Sequence, residues 1–260
     1  MTDDAPTPAP ETKTAKPAWL NGARAGYLAL GLSVIALGFS VAPYFSAGES
    51  HVRSYLLEHP EVLQETQLAL QSKEAEASVE ETNQAAAANA GLLAPDARDP
   101  AFGPANAKVT VIEFFDFRCP GCKAVAHDYR ALMAAHPEVR FVFKDWPILD
   151  RGDDVTSQYA ARAALAAHQQ GKYLEVYDAL MTERALDRAA IDGILVQHGV
   201  DMTQAQAAIA SPEMTRHVTD IHTVAATLGL QGTPTFFING KASASIEPGE
   251  IAKLIEAAKR

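Results

Sequence analysis

The sequence is poor in cysteine, since its 260 residues contain only two. Two cysteines cannot form the multi-disulfide framework of a small secreted domain. They stand close together, at Cys119 and Cys122. Such a pair can be half of a zinc site, but structural zinc takes four ligands, and the nearest candidate pair, His217 and His222, follows about a hundred residues later. The pattern therefore favours thiol chemistry over metal binding.

Positive charge is also scarce. The chain carries 22 basic and 32 acidic residues, with a formal net charge of -10 and a pI of about 5.2. No basic patch is apparent, so the composition argues against a nucleic-acid partner. Hydrophobic residues make up 48% of the chain, which is enough to build a core in one or two domains.

The surroundings of the two cysteines predict a reactive thiol. Residues 109–115 are apolar enough for a buried strand, and residues 119–136 carry apolar side chains at helical spacing. Unpaired amides and the positive end of the helix dipole favour a thiolate at this junction. We therefore predict Cys119 as the nucleophile and Cys122 as the thiol that resolves a mixed disulfide. A purely structural disulfide is the alternative, although so short a loop removes little chain entropy.

The N-terminal part predicts export. Residues 1–24 are rich in Pro, Ala, Thr and charge, and are predicted to form a disordered cytoplasmic tail. Residues 25–48 lack charged side chains and are predicted to be a transmembrane anchor or signal segment. Lys13, Lys16 and Arg24 precede this segment, so the positive-inside rule places the rest of the chain outside. A cleaved signal peptide and a buried core helix are the alternatives.

Residues 49–89 are predicted to form a helical stalk with a break before Pro60. Leu56, Leu63 and Leu70 recur every seven residues, which predicts an apolar seam and self-association. A solvated spacer helix is the alternative. The next segment, residues 90–107, contains three prolines and is predicted to be a linker.

The remaining residues, 108–260, predict an α/β domain. The predicted elements, in chain order, are a strand (109–117), a helix (119–136), a second strand (139–146), a block of helices (about 153–230), a hairpin (235–246) and a last helix (248–259). Asp187, Asp201 and Ser211 are predicted helix caps, and Asn239 followed by Gly240 predicts the hairpin turn.

The predicted domain resembles the DsbA family of the thioredoxin superfamily. The residues that carry the resemblance are 109–122, 159–167 and 232–240. Residues 52–63 look like the N-terminal region of the ScsC-like branch, the suppressors of copper sensitivity, some of which oligomerise and act as isomerases. The resemblance implies a thioredoxin fold with an inserted helical subdomain. It also implies that Pro234 is cis and lies against Cys119, with Thr233 pairing with an extended substrate chain.

Glu113 and Lys144 are a predicted pair that tunes the thiols. Glu113 has the same strand parity as Val111 and Phe115, so it is predicted to face the core, where a carboxylate is costly unless paired. In DsbA-like proteins a Glu at this spacing pairs with a Lys beneath the active site, and Lys144 is predicted to lie on the adjacent strand. The alternative is a solvent-facing Glu113 on an edge strand.

The predicted function is a periplasmic thiol-disulfide oxidoreductase that exchanges disulfides in exported proteins. Many oxidases of the family have His where this chain has Gly121, so isomerase or reductase is favoured and DsbA-type dithiol oxidase is the alternative.

The redox-active cysteine pair needs no other cofactor, and no metal site is predicted. The resemblance implies a membrane redox partner of DsbD or DsbB type. The non-enzymatic alternatives are Cu(I) binding by the two thiolates and a scaffold domain. The predicted location is the inner membrane, single-pass, with the C-terminal domain in the periplasm, or soluble periplasmic after signal cleavage.

Overall fold

The structure, a computed structural model, describes residues 23–260. The described residues fall into two compact units that divide after Leu70, and each is described by itself. The predicted tail at residues 1–24 lies outside the described residues except for its last two. Two long helices begin the described part, α1 (Ala23–Glu58) and α2 (Pro60–Ala88).

The break between α1 and α2 confirms the predicted role of Pro60, which takes the first position of α2 where its missing N–H costs nothing. The predicted seam is largely exposed in this single chain, with Leu63 at 55% and Leu70 at 56% of full exposure. Such exposure is what a self-association surface would show in an isolated chain. Within residues 23–260, no helix combines the length and the apolar character needed to cross a membrane.

The second unit is built on a five-stranded mixed sheet. Its strands, in the spatial order β1-β3-β2-β4-β5, are β1 (Ala101–Phe102), β2 (Thr110–Phe115), β3 (Arg140–Asp145), β4 (Thr235–Ile238) and β5 (Lys241–Ala242). The central strands β2 and β3 are parallel, and the other pairs are antiparallel. Both strands are buried on both faces; β2 is largely apolar, as such strands usually are, whereas β3 has a central apolar run followed by the buried charged residues Lys144 and Asp145.

Helices cover both faces of this sheet. They are α3 (Pro120–Ala135), α4 (Thr156–Gln169), α5 (Tyr173–Thr182), α6 (Arg188–Gln197), α7 (Met202–Ile209), α8 (Pro212–Thr227) and α9 (Pro248–Lys259). The predicted caps are confirmed, because the side chains of Asp187, Asp201 and Ser211 each accept a hydrogen bond from an amide in the first turn of α6, α7 and α8. Five of these helices, α4 to α8, form the predicted insertion between β3 and β4.

The alternation of side chains along β2 divides the core in two. Val111 and Phe115 pack in the larger cluster with side chains of α3, α4, α5 and α9. Ile112 and Phe114 point the other way and pack with Trp146 and side chains of α8. Glu113 shares the face of Val111 and Phe115, and it is fully buried there. The alternative of a solvent-facing Glu113 on an edge strand is therefore wrong.

The segment predicted as a linker, residues 90–107, is in part built into the sheet. Strand β1 pairs with the outer side of β3, and the Phe143 amide donates to the Pro100 carbonyl at 2.9 Å. The sequence argument missed β1 because two residues are too few to show any alternation. It also predicted that the hairpin continues to residue 246, whereas its second strand, β5, ends at Ala242.

The last turns of α2 also belong to the second unit. The Asn83 side-chain oxygen accepts a hydrogen bond from the Ala242 amide on the outer strand β5 at 2.7 Å. One turn later, Ala86 is buried with Ile112 and Phe237 of the sheet. The helix thus contacts both the edge and one face of the sheet.

Candidate active site

The two cysteines lie where strand β2 leads into helix α3. Cys119 is the N-cap residue of α3, and Pro120 occupies the first helical position. Both cysteines are free thiols, with Cys119 at 8% of full exposure and Cys122 fully buried. Both thiols are thus buried, but only Cys119 keeps a small exposed area, and this difference is in the direction that a nucleophile and its resolving partner require.

The Thr233–Pro234 peptide bond is cis and lies against Cys119. The Cys119 thiol donates to the Thr233 carbonyl at 3.1 Å. A Cβ at Gly121 would stand 3.3 Å from Pro234 Cδ and 3.7 Å from Cys119 Sγ. Two of the three segments that carried the resemblance, residues 109–122 and 232–240, thus meet at one sulfur atom although they are more than a hundred residues apart in sequence.

Hydrogen bonding lowers the pKa of Cys119 from 9.0 to about 5. The largest cause is the hydrogen bond from the Cys122 thiol. Burial opposes it as the second-largest effect, and hydrogen bonds from the Thr233 side chain and from the amides of Cys122 and Gly121 lower the pKa further. The predicted direction is confirmed, but the sequence argument gave the first place to backbone donors and missed the resolving thiol.

The pKa of Cys122 is raised well above its ordinary value. Burial is the main cause, and the hydrogen bond to Cys119 and the charge of Glu113 add to it. The two thiols are thus strongly differentiated, one held as a thiolate and the other as a thiol. This division of roles is what a two-step disulfide exchange requires.

The predicted pairing of Glu113 with Lys144 is wrong. In the parallel register Glu113 stands beside Phe143, so Lys144 points to the opposite face of the sheet. There its ammonium forms a buried ion pair with the carboxylate of Asp99, and His217 lies 3.3 Å from the same carboxylate. The sequence gives strand parity but no register, so it could not place Lys144 on the correct face.

Glu113 instead has a neutral partner. The Tyr177 hydroxyl donates to its Oε2 at 3.5 Å, and within residues 23–260 its Oε1 accepts no hydrogen bond. Burial chiefly raises the pKa of Glu113 to about 8, with the charge of Asp145 adding and Tyr177 opposing. The charge of Glu113 also acts on the buried Cys122 thiol, so the two groups are coupled in their protonation.

Asp116 organises the loops around Cys119, and the sequence analysis overlooked it. Its Oδ1 accepts from the Arg118 amide at 2.7 Å and the Ser157 hydroxyl at 3.0 Å. Its Oδ2 accepts from the amides of Ile148 and Leu149 at 2.8 and 3.1 Å. The carboxylate thereby ties the approach to α3 to the loop after β3 and to the start of α4. An acidic residue directly after a buried strand was the signal for this role.

Lys123 ties the start of α3 to the end of α5. Its ammonium donates to the carbonyls of Leu180, Met181 and Glu183 at 2.8, 3.2 and 2.7 Å. These carbonyls lie at a helix C-terminus, where they lack partners within the helix and attract positive charge. The helix that carries the cysteines is thereby fixed to the helix that carries Tyr177.

Comparison with known proteins gives the same picture. Residues 96–257 match the sequence model of the thioredoxin family, and residues 49–77 match that of the copper resistance protein ScsC N-terminal domain. A thioredoxin-like oxidoreductase from Silicibacter pomeroyi is 35% identical, with a TM-score of 0.58, over 63% of this chain and 94% of that one. Proteus mirabilis ScsC in a transitional conformation, 24% identical with a TM-score of 0.59 over 81% and 92% of the two chains, shares the fold.

A curated relative is much longer than this chain. The Na(+)/H(+) antiporter NhaA 3 of Salinispora tropica is 32% identical over 148 residues, which are 56% of this chain but only 22% of the antiporter. This chain therefore corresponds to less than a quarter of that protein.

Proposed function

Because the chain belongs to the thioredoxin family, with a DsbA/ScsC-like fold, and is a thiol-disulfide oxidoreductase, we propose that it isomerises or reduces disulfides in exported proteins. Cys119 is the attacking nucleophile and Cys122 the resolving thiol. The observation that carries this proposal is the contrast between the two sulfurs. The Cys119 sulfur has a lowered pKa and keeps a small exposed area beside Pro234, whereas the Cys122 sulfur has a raised pKa and is fully buried.

In this proposal, Thr233 and Pro234 form the surface beside Cys119 on which the substrate chain binds. Thr233 precedes β4, which begins at Thr235, so its backbone lies outside the strand pairing of the sheet and could pair with an extended substrate chain as an added strand. The Thr233 carbonyl already contacts Cys119 Sγ, so a paired chain would present its own sulfur to the nucleophile.

Glu113 is the proton-transfer group for Cys122 in this proposal. When Cys122 attacks a mixed disulfide its thiol must lose a proton, and when the Cys119–Cys122 disulfide is opened Cys122 leaves as a thiolate that must regain one. A carboxyl group with a pKa of about 8, close enough for its charge to act on Cys122, can serve in both directions.

Isomerisation or reduction is preferred to oxidation because Gly121 offers no side chain that could stabilise the thiolate further. DsbA-type oxidation is the second candidate, and the lowered pKa of Cys119 favours it, since a stabilised thiolate makes the disulfide a better oxidant. The rival non-enzymatic function is Cu(I) binding by the thiolate pair.

Two parallel assays separate these candidates. Reactivation of scrambled ribonuclease measures isomerisation, and oxidation of reduced ribonuclease measures dithiol oxidase activity. We expect the first to be faster and Cys119→Ser to abolish both. Activity only in the second assay would assign the oxidase. Tight Cu(I) binding without activity in either assay would favour the copper-binding function.

We further propose that residues 25–48 anchor the chain in the inner membrane, with the catalytic domain in the periplasm, and that residues 49–89 form an oligomeric stalk. The absence of charge in the first segment and the exposed leucines of the second support this arrangement. An exported domain would receive its electrons from a membrane redox partner. Loss of the protein from membranes on alkaline carbonate extraction would contradict the anchor, and a monomeric mass in light scattering would contradict the stalk.

A further inference from the structure

Arg118, the residue directly before the nucleophile, is held in place by two carboxylates. Its Nη1 lies 2.8 Å from Asp154 Oδ2 and 3.4 Å from Asp150 Oδ1. Its backbone amide donates to Asp116 Oδ1 at 2.7 Å, so the main chain is fixed here as well. The Arg118 side chain nevertheless keeps 30% of its full exposure. A long cationic side chain is thus held beside Cys119 while part of it faces solvent.

The two carboxylates that hold the guanidinium are themselves tied to the start of α4. Asp150 accepts hydrogen bonds from the amides of Ser157 and Gln158 at 2.7 and 3.0 Å. Asp154 accepts one from the amide of Thr156 at 3.0 Å. These amides belong to the first turn of the helix, where they have no partners within it. The position of the guanidinium is therefore set by a helix terminus as well as by the loop that precedes it.

These contacts use only one nitrogen of the guanidinium. In the part of the chain that the structure describes, the hydrogen bonds and ion pairs of this group all involve Nη1. A guanidinium carries five N–H donors in a planar fork, and its Nε and Nη2 together form an edge that matches oxygen acceptors. Arg118 therefore presents an edge of donors that is fixed in place and receives no partner from the described residues.

Arg118 and Thr233 flank Cys119 from opposite sides. Strand β2, which leads to the nucleophile, lies between β3 and β4 in the sheet. The two acids that hold Arg118 follow β3, whereas Thr233 lies just before β4. A substrate chain that pairs with Thr233 therefore turns its other edge towards Arg118. Successive residues of an extended chain direct their C=O groups to opposite edges, so this other edge offers main-chain carbonyls.

Electrostatics favours such a neutral acceptor over a carboxylate. The charge of Arg118 is already faced by two acids, and hydrogen bonds from Thr156, with a smaller contribution from Arg118, lower the pKa of Asp154. A further carboxylate about 4 Å from the guanidinium would stand about 8 Å from each of these acids, so two repulsions would offset the single attraction. A neutral carbonyl accepts the same hydrogen bonds without this cost.

We propose that Nε and Nη2 of Arg118 donate to a main-chain carbonyl of the substrate, on the side of Cys119 opposite Thr233. This inference rests on the proposed pairing of the substrate chain with Thr233. The substrate cysteine is then held from both sides while its sulfur meets the nucleophile. Because every polypeptide has main-chain carbonyls, Arg118 strengthens the binding of extended chains without selecting their sequence, which suits an enzyme that acts on many exported proteins.

The experiment compares two activated disulfides, of which only one has a peptide backbone. The first is an acetylated and amidated pentapeptide whose central cysteine, flanked by alanines, is joined to 4-thiopyridine. The second is ethyl 4-pyridyl disulfide. With either compound the Cys119 thiolate bonds to the peptide or ethyl sulfur, the S–S bond breaks, and 4-thiopyridone leaves after it takes a proton from water. Its absorbance gives the second-order rate constant for the reduced full chain at pH 7, and the peptide-to-ethyl ratio of the two constants is the readout.

Arg118→Gln should lower this ratio about tenfold, as expected for the loss of hydrogen bonds from a charged donor, and should change the rate constant of the ethyl compound less than about twofold. Arg118→Lys keeps a cation for Asp150 and Asp154 but lacks the planar edge, so the ratio should still fall at least about threefold. Arg130→Gln is the matched control. Arg130 also pairs with an acid, Asp178 at 2.9 Å, but it lies about three turns along α3 from the nucleophile, so its loss leaves the ratio unchanged.

The outcomes separate this inference from the function on which it rests. A ratio that falls in both variants of Arg118 and stays constant in Arg130→Gln supports the inference. If Arg118→Gln slows both compounds by the same factor, or neither, Arg118 does not bind the substrate backbone and only the present inference falls. If the wild-type ratio does not exceed that of 2-mercaptoethanol, no peptide binds beside the nucleophile, and the proposed substrate surface at Thr233 falls as well.

A charged peptide tests the nature of the acceptor. When one alanine beside the cysteine is replaced by aspartate or by asparagine, we expect the wild type to react with the two peptides at rates within about twofold of each other. An aspartate peptide that reacts more than about tenfold faster than the asparagine peptide, but only when Arg118 is present, would overturn the inference, because the edge would then bind a carboxylate.

Discussion

The ionised state of Cys119 in the reduced protein should be measurable as a stability that depends on pH. The pKa of this thiol falls from 9.0 to about 5 on folding. A group whose pKa is lowered by folding stabilises the native state fully above the unfolded value, and this contribution is lost as the pH falls through the folded value. At about 1.4 kcal/mol per pH unit, the thiolate contributes about 3 kcal/mol at pH 7 and close to nothing below about pH 5.

Cys119→Ser removes the thiolate, and burial, the largest cause of the raised pKa of Cys122, keeps that thiol protonated between pH 5 and pH 7 in both proteins. We therefore expect the free energy of unfolding of the reduced wild type, minus that of Cys119→Ser, to rise by about 2 kcal/mol between about pH 5 and pH 7. Urea denaturation in the presence of a phosphine reductant, followed by circular dichroism at several pH values, measures this difference. The offset between the two proteins at low pH reports only the packing of serine.

Cys122→Ala is the matched variant, because the hydrogen bond from Cys122 is the largest cause of the lowered pKa of Cys119. Its stability should begin to rise only at a higher pH than that of the wild type. A wild-type minus Cys119→Ser difference that stays constant from pH 5 to pH 8 would refute the reasoning, since the sulfur would then be protonated throughout, like an ordinary thiol.

Three further substitutions test contacts away from the sulfurs, each by urea denaturation against the wild type. Lys123→Met leaves three helix-terminal carbonyls without their donor and should cost about 2 kcal/mol, whereas Lys253→Met, which removes only an exposed pair, should cost little. Asp99→Asn leaves the ammonium of Lys144 buried without a counter-charge and should cost about 3 kcal/mol. Gly103→Ala should cost about 3 kcal/mol, because Gly103 has φ +88° and a Cβ there would lie 2.0 Å from a backbone oxygen. A change below about 0.5 kcal/mol in any of the three would contradict the corresponding contact.

The local features of this fold were predictable from the sequence because their signals are local. The side chains of Asp187, Asp201 and Ser211 cap helices as their positions indicated, and the apolar run before Cys119 forms a buried strand. The meeting of Cys119 with residue 234 was expected only from the resemblance to a family. No spacing rule connects residues so far apart in the chain.

The features that the sequence did not predict depend on how strands align. Parity alone places Glu113 in the core, but only the register with β3 decides that its neighbour on that face is Asp145 rather than Lys144. The tyrosines Tyr173 and Tyr177 showed helical spacing, yet their partners became apparent only when α5 lay on the sheet. Register is set by the sum of many packing contacts, so no single residue reports it.

The hydrogen bond between Asn83 and Ala242 has a practical consequence for anyone who shortens this protein. The unpaired backbone groups of an edge strand can pair with another polypeptide chain, and on β5 the Asn83 side chain already binds one of these groups. A recombinant fragment that starts at residue 108 would lack both Asn83, which covers β5, and strand β1, which covers β3. Both edges of its sheet would then be exposed to aggregation. Fragments that begin before Asn83 keep β1 on one edge of the sheet and the Asn83 contact on the other, and are the better choice for crystallisation.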